Sequence, residues 1–137
     1  MELALRERFS DEIPDSYRTR NGHVMLASLL RYSIKEKHIK NEGFSAWHNA
    51  AESRARGRYE FEQLDKMSEQ GLETIELDYS NISIVDDDKN FEYVHDIKDG
   101  IILQRNDYSH GSTRLDKYSL GTFTIVSEII NQLYPAE

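Results

Sequence analysis

The chain has 137 residues, 17 of them Lys or Arg and 25 Asp or Glu, for a formal charge of −8, with no cysteine and two prolines. The size suits a single domain over residues 1–137, and the lack of cysteine excludes disulfide frameworks, thiolate nucleophiles, iron–sulfur clusters and cysteine-ligated zinc. The acid excess argues against direct nucleic-acid binding, which draws its affinity from clustered Lys and Arg, and Val24–Leu30, the most apolar stretch, is far short of the ~20 residues of a membrane span.

Met1-Glu2-Leu3 does not open a signal peptide, so a cytoplasmic location is expected. Leu, Ile, Val and Phe together number 33 of 137 residues, just above the ~20% below which a highly charged chain stays disordered. The expected core is modest, which leaves room for a partner or a second copy to cover apolar surface.

In chain order, Leu26, Leu30 and Ile34, flanked by Met25 and Leu29, predict a first helix over His23–Lys40, with Lys35, Lys37 and Lys40 near its C-terminal end. Asn41-Glu42-Gly43 breaks the run, and Ser45 is positioned to cap a second helix with Phe44 as its hydrophobic staple. That helix carries the stripe Trp47, Ala50, Arg54, Gly57, Phe61, Leu64 and closes at Gly71. Ala50 and Gly57 would admit a close neighbour, most simply the first helix folded back as an antiparallel hairpin. Arg54, a charge in an apolar stripe, is expected to snorkel, to pair with an acidic group from the second half, or to face an anion.

Beyond Gly71 the pattern changes. Thr74–Tyr79 and Ile82–Ile84 alternate apolar and polar residues as short strands do. Asp99-Gly100 is a hairpin signal between Phe91–Ile97 and Ile101–Gln104, although Val94, Ile97, Ile101 and Gln104 also fit a helical 3,4,3 stripe. Phe123, Val126, Ile130 and Leu133 then predict a C-terminal helix stopped by Pro135. The expected fold is α+β: two N-terminal helices as an antiparallel helical hairpin, a small antiparallel β-meander and a C-terminal helix, with an all-α bundle as the alternative.

Charge is distributed unevenly. Residues 1–58 hold 11 basic and 8 acidic side chains, net +3, and residues 59–137 hold 6 and 17, net −11. Concentrated charge steers association with an opposite surface, so the leading expectation is a small acidic interaction protein, of the inhibitor, immunity or nucleic-acid-mimic kind, docking its acidic half on a basic protein partner. Asp86, Asp87 and Asp88 are the candidate contacts, with Trp47 as an aromatic anchor and Arg54 beside it. Asp86–Asn90 places oxygens at positions 1, 3 and 5 of a calcium loop, but Phe91 replaces the required glycine and Ile97 the bidentate glutamate. An acidic turn is the better reading.

Val94-His95-Asp96-Ile97-Lys98 resembles the His-Asp core of the HD phosphohydrolase superfamily. The resemblance implies a mostly helical, metal-dependent hydrolase in which His95 and Asp96 join an upstream histidine, such as His48, and a downstream aspartate, such as Asp107, to hold a divalent ion that activates water. It covers about five residues, and Lys98 stands where that family commonly has glycine. The remaining expectation is a structural subunit that self-associates through its N-terminal helices. Ser109-His110-Gly111-Ser112 reads as a connecting loop. No nucleophile elbow, P-loop, dinucleotide fingerprint or zincin motif occurs, so the sequence leans away from catalysis without deciding it, and no cofactor is expected.

Overall fold

A computed structural model describes residues 1–109 and 119–135. Its elements are five α-helices: α1 (Glu2–Phe9), α2 (Leu26–Lys35), α3 (Ser45–Gln70), α4 (Tyr93–Ser109) and α5 (Ser119–Leu133). The chain divides into two compact units, residues 1–44 with 92–137, and Ser45–Phe91.

The β-meander is overturned. Among the described residues there is no strand, and the one β-type pairing is an isolated antiparallel bridge between Arg18 and Val24. The all-α alternative fits this architecture.

In the first unit, α1 contributes Leu5 and Phe9, both fully buried and one turn apart, while Arg6 pairs with Glu2 at 2.9 Å on the outside. Helix α1 packs on α2 and α5, and α2 also packs on α4. Helix α2 is shorter than the periodicity predicts. A turn through Gly22, at φ +78°, with Thr19 N donating to His23 O at 2.8 Å, delays its start. At its end Lys37 adopts φ +60°, and the bonds from Lys37 N to Ile34 O and His38 N to Ser33 O close a Schellman motif.

The predicted hairpin over 91–105 is helix α4 instead. Val94, Ile97 and Ile101 are buried, whereas Asp99 and Gly100 both face solvent. Gly in mid-helix costs about 1 kcal/mol against alanine, and burying three β-branched side chains at helical spacing outweighs it. The first turn of α4 is tied down non-locally: Asn41 Oδ1 accepts from Val94 N at 2.9 Å.

Helix α5 buries Ile129 and Leu133, while Phe123, placed on the inner stripe by its spacing, is 72% exposed. Near the C-terminal end of α5, the Gln132 amide oxygen accepts from Lys40 N at 2.8 Å, and a Cβ added at Gly43 would collide with that same amide. Gly43→Ala should therefore lower stability by about 1 kcal/mol, the net worth of one hydrogen bond. The cost should largely vanish in the background of Gln132→Ala, and chemical denaturation of the four species of that double-mutant cycle measures it.

The second unit is built on α3, the best-predicted element. Gly71 at φ +63°, with Leu72 N bonded to Met67 O at 3.0 Å, ends it where the sequence indicates. Its buried face is Trp47, Ala51 and Ala55, not the predicted stripe: Phe61 is 71% and Leu64 51% exposed. A Cβ added at Gly57 meets nothing within 4 Å, so no close helix approach uses that position.

Residues 72–91 run along α3 as an irregular arm with 3-10 turns at Tyr79–Asn81 and Asp86–Lys89. The predicted strands over 74–84 do not form because α3 side chains take over backbone bonding. Tyr59 Oη accepts from Asp78 N at 3.1 Å, and Arg58 Nη2 donates to Ser83 O at 2.9 Å.

Candidate functional site

The candidate contacts of the acidic turn divide into two kinds. Asp86 and Asp87 are exposed. Asp88 is only 5% exposed and is consumed inside the second unit. Arg58 Nη2 donates to its Oδ2 at 3.0 Å, Arg58 Nε donates to Oδ1 at 3.4 Å, and Val85 N donates to Oδ2 at 2.9 Å. The guanidinium bonds, followed by the Val85 N–H, hold the Asp88 carboxyl below its ordinary range, and the Arg58 pKa rises in turn through its bond to Asp88. Asp88 is thus a structural anchor of the second unit, and of the three expected contacts Asp86 and Asp87 are the exposed ones. Position 88 is distinguished by the register that places it, rather than Asp86 or Asp87, opposite Arg58.

Trp47 is also structural. Its indole is 5% exposed, its Nε1 donates to Phe91 O at 3.4 Å, and its ring lies 5.8 Å from that of Phe91. Arg54 places its guanidinium 4.2 Å from the centre of the same Phe91 ring and directs Nη1 to Asn90 O at 3.5 Å. The acidic partner expected for Arg54 is instead found at Arg58, one helical turn further on. Trp47 and Arg54 converge on Phe91 and so close the arm against α3.

The metal quartet is not assembled. Among the described residues, no group of three or more His, Asp or Glu side chains gathers in a way that could hold an ion. His95 and Asp96 are exposed positions on α4, and His95 Nε2 lies 3.9 Å from Glu92 Oε2. Asp107 lies three turns further along α4, also exposed, and His48 is on α3, its ring edge-on to Trp47 at 5.1 Å. Of the segment read as a connecting loop, Ser109 ends α4 and residues 110–112 lie outside the described residues.

What the second unit does display is acid. Residues 59–91 carry ten acidic and two basic side chains, net −8, equal to the charge of the whole chain. Every one of those carboxylates except Asp88 belongs to an exposed residue. Asp78 is held below the usual carboxylate range, first by the Ser80 hydroxyl at 2.6 Å and then by the Ser80 N–H at 2.9 Å. Interspersed with the acid are Phe61, Leu64, Leu72, Leu77 and Ile84, all at least 39% exposed. Sequence reasoning placed Phe61 and Leu64 in the core because their 3,4 spacing continues from Trp47. Burial ends at Ala55, four turns before the helix does.

No family model, curated protein or solved structure matches the chain. None of the five described helices is long and apolar enough to cross a membrane.

Proposed function

We propose that this chain is an interaction protein that presents the acidic, apolar-studded surface of residues 59–91 to a basic protein partner. The observation that supports the reading is the concentration of a charge equal to the molecule's net −8 in those 33 residues, with Asp88 the one buried carboxylate among them. Exposed acid steers encounter with a cationic surface over distances of about 10 Å at ordinary ionic strength. Phe61 and Leu64, exposed one turn apart on α3, supply the apolar contacts that slow dissociation once the partner has docked. Glu62, Asp65 and Glu69 flank them along the same helix. Asp86 and Asp87 extend the acid onto the arm.

The test begins with a protein that co-purifies from the native host and is itself purified. Its association rate with the wild-type chain should fall steeply with ionic strength. The triple variant Glu62→Gln/Asp65→Asn/Glu69→Gln should associate about tenfold more slowly at low salt, and Phe61→Ala should dissociate faster. The substituted residues are exposed, and Glu62 gives up only a solvent-exposed pair with Arg58 at 3.4 Å, so folding stability should stay within about 1 kcal/mol of wild type. A rate indifferent both to salt and to the triple neutralisation would refute the proposal.

A further inference from the structure

The first unit, with 12 basic and 14 acidic side chains, is close to charge balance but gathers cations in one place. An open cleft of about 690 Å³ is lined by Arg31, Lys35, Lys37, Lys40 and Lys98, five of the twelve basic residues of that unit. Two acids, Glu42 and Glu92, share the wall, so the lining is net +3 in a chain of net −8. We propose that this cleft binds a small organic phosphate, an anion carrying an apolar or aromatic body of nucleotide size.

Three observations carry the inference. The cations are not there to neutralise neighbouring acid. Among the described residues the structure pairs Lys98 with Asp99 at 3.2 Å, but Arg31, Lys35, Lys37 and Lys40 make no ion pair, in a chain with 25 carboxylates. Like charges gathered around one cavity repel one another and lower the stability of the apo fold, and an anion reverses the sign of that term.

The cleft also has an apolar floor. Ile34, Ile39 and Val94 line it together with Tyr17, whose ring has the Lys35 ammonium 6.0 Å from its centre. A cavity within the ~300–1,000 Å³ range of small-molecule sites, apolar below and cationic at the rim, suits a ligand with both an apolar body and an anionic end. Arg31 contributes the planar donor fork that binds phosphate oxygens in pairs, and the lysines contribute point charges.

The third observation is a local rule broken at the cleft itself. Lys37 sits at φ +60° in the Schellman turn that ends α2, the position at which helices most often place glycine. Lysine there is conformationally disfavoured relative to glycine, and what it adds is a cation in the cleft. A residue that is wrong for the backbone and right for the cavity is the signature expected where binding has been favoured over stability.

The proposal is tested by calorimetric titration of the full chain with ADP, inorganic phosphate and adenosine as probes. ADP should bind saturably at sub-millimolar concentration, and adenosine, which lacks the anion, at least about tenfold more weakly. Arg31→Gln and Lys98→Gln should each weaken ADP binding about tenfold while leaving circular dichroism unchanged. Lys37→Gly separates binding from structure: it should raise Tm and weaken ADP. Failure of ADP and phosphate alike to bind at millimolar concentration would overturn the proposal. Equal affinity for adenosine and ADP, or wild-type affinity in Arg31→Gln and Lys98→Gln, would overturn it too.

Discussion

Truncation of Phe9 to alanine should destabilise the protein by about 3–5 kcal/mol, the range for emptying a fully enclosed aromatic site. Phe9 is 0% exposed at the end of α1. Its ring meets Tyr32 of α2 edge-on at 5.5 Å and His38 at 4.9 Å, and Tyr32 in turn meets Tyr17 at 5.5 Å. The chain of rings joins α1, α2 and the turn between them, so the lost volume cannot be refilled by moving one side chain. Phe9→Leu, which keeps most of the volume, should cost less than half as much. Urea denaturation followed by circular dichroism measures both. Since native domains are stable by only about 5–15 kcal/mol, the alanine variant should approach the edge of folding, and a change below about 1 kcal/mol would show that α1 is not integral to the core.

Asp88→Asn should lower Tm by several degrees, and more than Asp86→Asn or Asp87→Asn, although the three residues are consecutive. The amide cannot accept both guanidinium bonds and the Val85 N–H, and the Arg58 charge loses the closer of its two carboxylates and keeps only Glu62. The pH dependence has a definite sign. The folded pKa of Asp88 lies below its unfolded value, so its contribution is fully present above the ordinary carboxylate range and is lost as pH falls through the depressed folded value. Acid titration of stability below about pH 4 should therefore be shallower for Asp88→Asn than for wild type. Equal Tm values for the three variants would remove Asp88 from its structural role.

How much of this was legible beforehand depended on whether the deciding interaction is local. Helix α3 was legible at both ends because the signals at Ser45 and Gly71 are local and lie within a residue of where the helix begins and ends. Segment 91–105 carried two conflicting local signals. The Asp99-Gly100 hairpin and the Val94, Ile97, Ile101 stripe are each self-consistent, and the choice belonged to the packing of α4 on α2 and to Asn41, more than fifty residues upstream of the N–H it accepts. Helix α1 had too few turns for its two buried residues, Leu5 and Phe9, to establish a period. In the second unit, alternation over 74–84 looked like strands, but alternation needs a partner strand, and the side chains of Tyr59 and Arg58 bonded that backbone instead.

The same distinction governs the charges. Sequence by itself determined that acid would be concentrated after residue 58 and that α3 would be long, amphipathic and closed by glycine, since counts, caps and i,i+4 spacings require no knowledge of distant contacts. Only the tertiary structure decided which acid is spent and which is displayed. Asp88 meets Arg58 across 30 positions of sequence while its neighbours Asp86 and Asp87 remain exposed. Only the tertiary structure, likewise, gathered Arg31, Lys35, Lys37 and Lys40 with Lys98 around one cavity. Along the chain those lysines read as charge at a helix end, because electrostatic partnership is a property of distance in space.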